Sequence, residues 1–207
     1  MPSADPDNFV LRSTVTSPFG RKVLMAIEVL GLNDRVTLVP ADTLDDNDTL
    51  RAQNPLGKMP CLLLADGTTI YDSDVIIEYL AEVAGSERLL PARGLARFKA
   101  LTLATLADGI MEAAILVVYE GRFRDAGTHS ERWLAHQRGK IARALAAFEA
   151  AAPDPAKTDI VAIGLSCALG YLDWRKPVEW RTSFPGLADW LAAFARNEPA
   201  FAHTQAA

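Results

Sequence analysis

The chain has 207 residues, half of them hydrophobic and 23% charged, and its 21 Lys and Arg against 26 Asp and Glu leave a formal net charge of −5. Those values belong to an ordinary globular chain and exclude disordered and fibrous classes; at roughly 150 residues per domain the length allows one large domain or two small ones. The acidic balance speaks against a nucleic-acid partner, because Arg93, Arg97 and Lys99, and Arg132, Arg138, Lys140 and Arg143, are spaced as solvated helix faces rather than as a phosphate-binding stripe.

The opening Met-Pro-Ser-Ala-Asp-Pro-Asp-Asn has neither a basic nor an apolar stretch of the kind that directs secretion. Cys61 and Cys167 each stand alone in an apolar run, without a CxxC pair or a disulfide framework. A reducing, cytoplasmic location is therefore expected. Phe9 to Ser13 reads as a short strand. The run Pro18 to Leu32 puts Phe19, Val23, Ile27 and Leu30 on one helical face, with Gly31 as its stop. Arg35 to Pro40 alternates as a second strand, and a strand, helix, strand unit implies a parallel pair. Asp45 to Asn54 reads as a short, weak helix stopped at Asn54-Pro55, since the residue before proline is pushed away from α geometry. Cys61 to Leu64 and Thr68 to Tyr71 read as a hairpin turning at Asp66-Gly67. Ser73 is the expected cap of a helix whose stripe is Val75, Ile76, Tyr79, Leu80 and Val83, ending at Gly85.

The order to this point is β-α-β-α-β-β-α, and Ser86 to Arg93 reads as a linker. Beyond it the pattern is helical only, with helices expected near Leu95 to Tyr119, Ser130 to Ala151, Asp159 to Leu172 and Phe184 to Asn197. Leu134, Ile141, Leu145 and Phe148 form the buried face of the second of these. The longest apolar run, Ile160 to Leu172, falls short of the roughly 18 to 20 residues of a membrane span, so a buried helix is expected there and no membrane partner. The fold class is α/β followed by all-α, with domains at 1–85 and 94–207 around a linker at 86–93.

Three segments carry candidate chemistry. Ser17-Pro18-Phe19 follows the first strand, and a serine N-cap with proline at the first helical position fixes a hydroxyl at the positive end of a helix. The plain alternative is a cap and nothing more. Asn54-Pro55-Leu56-Gly57-Lys58-Met59-Pro60 delivers the chain into the third strand; a proline at such a tight entry is a candidate for cis geometry, which leaves the Met59 backbone to pair with an extended peptide while Lys58 supplies a cation. The alternative is a simple turn. Tyr71-Asp72-Ser73-Asp74 opens a helix, where backbone N–H groups and a hydroxyl can hold a carboxylate and Asp72 can take an ammonium. His129, His136 and His203 show no ligand-like spacing, and no metal is expected.

In this order, with Ala107-Asp108-Gly109-Ile110-Met111 and Cys167-Ala168-Leu169-Gly170-Tyr171-Leu172-Asp173-Trp174-Arg175 further on, these segments resemble the glutathione transferase superfamily, in its bacterial, serine-type form, across essentially the whole chain. The resemblance implies a thioredoxin-like first domain that binds glutathione and a helical-bundle second domain. It implies Ser17 as the catalytic hydroxyl, with Thr16 as the adjacent rival. Phe19, Lys58, Met59, Pro60, Asp72 and Ser73 become glutathione-binding residues: the γ-glutamyl end at Asp72 and Ser73, the glycyl carboxylate near Lys58. The electrophile pocket is expected between the domains, lined by Met111, Ile115 and Tyr119, with Asp108 a further candidate for the ligand's amino group; a homodimer acting in detoxification is expected with it. Two positions depart from the family pattern. Asp159 caps its helix but Ala162 stands where the second half of the capping box would be, and Asp72-Ser73 replaces the commoner Glu-Ser, shortening the reach by one methylene. Serine cannot form the mixed disulfide that exchange requires, so conjugation to a small electrophile is favoured. A non-catalytic binding protein, or a glutathione-dependent isomerase, peroxidase or dehalogenase, is the alternative.

Overall fold

In a computed structural model that describes residues 8–206, β1 (Phe9–Ser13) takes the centre of a four-stranded sheet of order β2-β1-β3-β4. β2 (Val36–Pro40) runs parallel to it with Phe9 opposite Val36; β3 (Cys61–Leu63) runs antiparallel with Leu11 opposite Leu62, and β4 (Thr69–Ile70) completes the hairpin. The central strands supply the core, with Leu11, Cys61 and Leu62 fully buried. β2 is an edge, and its expected alternation does not separate an inner from an outer face, since Leu38 and Val39 are both about one-third exposed.

Helix α1 (Pro18–Val29) buries Val23, Ala26 and Ile27 and leaves Phe19 and Leu30 partly covered. It stops as expected: Gly31, at φ +70°, allows its own N–H to reach Glu28 O and that of Leu32 to reach Ile27 O. The helix expected over 45–54 shrinks to α2 (Leu50–Gln53). Asp42, Asp45 and Asp48 each bind the backbone N–H two residues on, and these local bonds compete with helix. The hairpin turn is Ala65-Asp66-Gly67, with Gly67 at φ +88° and Thr68 N–H on Asp66 Oδ1.

Helix α3 (Ser73–Val83) corrects two expectations. Its cap is Asp72, whose carboxylate accepts from Asp74 N–H at 3.2 Å, and Ser73 is the first helical residue. The buried stripe is Ile76, Ile77, Leu80 and Ala81, while Val75 is 50% exposed. Tyr79 still faces the sheet, its ring edge-on to Phe9.

The chain divides into two compact units, the first running through Leu90 and taking back residues 203–206, the second spanning Pro91–Ala202. The division lies between Leu90 and Pro91. His203 Nδ1 lies 2.7 Å from Glu28 Oε1, and Arg21 Nε donates to Thr204 Oγ1 at 3.4 Å, so the last residues belong with α1.

The second unit contains α4 (Gly94–Phe123), α5 (Glu131–Ala150), α6 (Ile160–Arg175) and α7 (Pro185–Asn197); the four-residue α8 (Ala200–His203) was not expected. α4 packs along both α5 and α6. Every residue of α6 from Ile160 to Leu169 is buried, and Asp159 caps it alone, accepting from Val161 and Ala162 N–H. Leu134, Ile141, Leu145 and Phe148 are buried on α5 as read. Both carboxylate oxygens of Glu149 accept from the first N–H groups of α7, those of Gly186 and Leu187. α4, interrupted by Asp108 and Glu112, is nevertheless long and apolar enough to cross a membrane by length and composition, with one-third of its most apolar stretch buried.

Candidate functional site

Four segments of the first unit are tied together by specific contacts. Ser17 is extended (φ −82°, ψ 121°), Pro18 follows at the first helical position, and Ser17 Oγ accepts from Gly20 N–H at 3.1 Å. That bond uses one lone pair of the hydroxyl. Its proton and second lone pair have no partner among the described residues. Thr16, by contrast, is exposed and shares its hydroxyl with Thr14 Oγ1 at 2.9 Å.

The turn is seated by a close approach that the sequence pattern did not flag. A Cβ on Gly20 would lie 2.0 Å from Ser13 Oγ, so only glycine lets α1 begin this near the end of β1. One turn further on, Lys22 is fully buried and its Nζ donates to Asp74 Oδ1 at 2.6 Å. This pair joins α1 to the start of α3, and thereby the Ser17 turn to the Asp72-Ser73 turn. Its signal was in the sequence as an Asp at the third position of the acid-serine motif, but a lysine one turn into a helix reads as solvent-facing until its burial is known.

The second segment is built by Asn54, 2% exposed: its Nδ2 donates to Lys58 O, its Oδ1 accepts from Leu56 N–H, and its own carbonyl from Gly57 N–H. Gly57 sits at φ +60°, and the Met59–Pro60 peptide is cis. The Met59 N–H and C=O have no hydrogen-bond partner among the described residues. Thr14 Oγ1 lies 3.4 Å from Met59 Sδ, bringing this loop to the end of β1. Met59 and Tyr71 pack on one cluster of Ala41, Leu50 and Cys61. Burial pushes the Cys61 thiol up, against the lesser pull of Arg12, so it stays protonated.

Of the residues singled out, Ser17, Phe19, Met59 and Pro60 line this part of the first unit, Lys58 and Asp72 are exposed, and Ser73 is 2% exposed. The α4 residues lie in the second unit. Met111 there is completely buried, which takes its side chain out of any accessible wall; Ile115 and Tyr119 are partly exposed. No cluster of three or more His, Cys, Asp or Glu side chains suited to a metal occurs among the described residues.

A sheet of this topology carrying a capped serine turn, an uncommitted peptide edge before a cis proline and an acid-serine helix start, followed by an all-helical unit, defines the glutathione transferase class. The comparisons with known proteins agree. The pattern for the glutathione S-transferase N-terminal domain matches residues 16–83. The uncharacterized GST-like protein YibF of Escherichia coli (strain K12) is 36% identical over 202 residues, covering 91% of this chain and 98% of the relative. A glutathione transferase family member from Pseudomonas fluorescens Pf-5, solved with bound glutathione, is 42% identical with a TM-score of 0.89 over 97% of this chain and 100% of that one. A second structure from that organism, holding S-(propanoic acid)-glutathione, is 41% identical with a TM-score of 0.85 over the same shares. The chain belongs to the glutathione transferase superfamily.

Proposed function

We propose that the protein activates the thiol of glutathione for attack on a small electrophile, with Ser17 as the catalytic hydroxyl. The observation that carries this reading is the division of labour at Ser17, where the oxygen caps α1 through Gly20 while the hydroxyl proton is left to donate. A free thiol with a pKa of about 8.5 is only a few per cent ionised at neutral pH. A hydrogen bond to a charged group contributes about 1.5 to 3 kcal/mol and one pKa unit corresponds to about 1.4 kcal/mol, so this donor lowers the thiol pKa by roughly one to two units. The N-terminal end of α1 adds a smaller term of the same sign. Roughly a quarter to three-quarters of the bound thiol is then thiolate at pH 7 without a general base.

In this reading the tripeptide lies along the uncommitted Met59 backbone, its γ-glutamyl group at Asp72 and Ser73, its glycyl carboxylate toward Lys58, with Phe19 and Pro60 beside it. The glutathione and the S-(propanoic acid)-glutathione held by the Pseudomonas fluorescens relatives support glutathione as the ligand, and the second is a thioether of the kind conjugation yields. The electrophile meets α4 at Ile115 and Tyr119. The Thr14 bond of Thr16 favours Ser17 over its neighbour.

Ser17→Ala is expected to lower turnover at least tenfold at neutral pH while leaving glutathione affinity nearly unchanged, as measured by steady-state kinetics beside calorimetric titration. An equal loss in Thr16→Ala alone would reassign the role. A panel of electrophiles, hydroperoxides and haloalkanes with added glutathione separates conjugation from isomerase, peroxidase and dehalogenase chemistry; saturable binding without turnover on any of them would make this a binding protein.

A further inference from the structure

The run Gly170–Arg175 has no part in the account of glutathione, yet it ends α6 in an unusual group of side chains with the end of α4, against which α6 packs. The Arg175 guanidinium lies 3.6 Å from the centroid of the Trp174 ring. Arg122 lies 5.7 Å from the Tyr119 ring and 5.6 Å from that of Phe123, and Tyr119 and Phe123 meet edge to face at 5.1 Å. Tyr171 meets Trp174 edge to face at 6.2 Å.

Neither Arg122 nor Arg175 has a carboxylate within ion-pair distance among the described residues. The acids nearest in sequence are committed elsewhere: Glu120 to Ser130 N–H and Arg124, Asp173 to Trp180 and Arg181. In a chain of net charge −5, two guanidiniums left without counter-ions are a local excess of positive charge. Tyr171, 6% exposed, lies within electrostatic range of Arg175, Arg122 and Tyr119. Burial pushes the Tyr171 phenol up, so it stays neutral at pH 7 and keeps a proton to donate. A guanidinium near a ring face still has N–H groups to offer a planar acceptor, of which a carboxylate is the best match. The exposed Trp174 and partly exposed Tyr119 offer flat surfaces to an aromatic ring.

We propose that Tyr119, Arg122, Tyr171, Trp174 and Arg175 form a subsite for an aryl carboxylate, so that the electrophile this protein conjugates is an aromatic acid. The substrate part rests on the reading that the electrophile meets α4; the binding part does not. With 4-chloro-3-nitrobenzoate the glutathione sulfur bonds to C4, the carbon–chlorine bond breaks, chloride leaves and the thiol proton passes to solvent.

The test has two arms. In calorimetry without glutathione, 4-nitrobenzoate is expected to bind at least about tenfold more tightly than 4-nitrobenzamide, the effect of one charge-assisted hydrogen bond. Arg122→Met and Arg175→Met should each remove most of that difference, whereas Arg138→Met, at an exposed pair with Glu131, keeps it. In turnover, the kcat/KM ratio of 4-chloro-3-nitrobenzoate to its amide, each divided by its uncatalysed rate with glutathione, should show the same preference and the same loss. Equal binding of acid and amide, or a preference that survives both replacements, overturns the subsite. Selective binding of the acid with no conjugation of any compound supports the subsite and counts against the transferase reading alone. Conjugation without acid preference does the reverse.

Discussion

Single side chains in the first unit do two kinds of work, and Arg12 shows the structural kind. On β1 and 7% exposed, it donates to Asp48, Thr49, Gln53 and the Pro40 carbonyl, holding the loop before α2 against the sheet. Asp48 returns the favour by accepting from Asp42 and Leu50 N–H, and these backbone bonds first, then Arg12, hold its carboxyl below the usual range despite some burial. A carboxyl lowered on folding stabilises the protein above its unfolded pKa of about 3.9 and loses that contribution as pH falls toward the folded value. Asp48→Asn is therefore expected to lower the melting temperature at pH 7 and to flatten its fall below about pH 4; a parallel downward shift at every pH would show that the ionised carboxylate contributes nothing. Ser17 is proposed to do the other kind of work: the geometry that makes it a cap leaves its proton uncommitted among the described residues.

At the scale of elements, the decisive contacts are the ones that bring segment ends together. Gly20 illustrates the sign: glycine to alanine inside a helix ordinarily stabilises by up to about 1 kcal/mol, but here the added methyl would meet Ser13 Oγ. Gly20→Ala is expected instead to destabilise by roughly 1 to 3 kcal/mol, the range for overpacking, and removing the hydroxyl with Ser13→Ala should recover part of it; a denaturant midpoint that rises in the single variant would contradict the packing described. The elements themselves were largely legible. Strand, helix and hairpin signals placed β1, α1, the hairpin and the four long helices because their apolar periods and turn residues are local features. What escaped depends on partners far along the chain. Lys22 looks solvent-facing until Asp74, 52 positions later, is set beside it, and the helix over 45–54 dissolves because three aspartates bind their own backbone. The α3 cap moved by one residue because Asp72 outcompetes Ser73 for the first free N–H, and Met111 reads as pocket or core with equal ease from its stripe alone.

The molecule as a whole consists of two units divided between Leu90 and Pro91, and the return of residues 203–206 to the first unit carries no local signal in the sequence. The proposed homodimer also belongs at this scale. Leu95, Phe98 and Leu103 on the first half of α4 are 70%, 64% and 38% exposed, an apolar surface of the kind that marks association. We expect sedimentation at micromolar concentration to give about twice the 22.4 kDa chain mass, and Phe98→Glu to shift the species toward the single chain; a wild-type protein running as one chain would contradict the dimer. The central claim, a neutral hydroxyl stabilising a bound thiolate, is tested most directly by ultraviolet titration of the protein–glutathione complex. The account predicts thiolate absorbance growing in with an apparent pKa between about 6.5 and 7.5, one to two units below the free thiol, and returning toward about 8.5 in Ser17→Ala. A wild-type complex whose thiol ionises only at or above about 8.5 would contradict it.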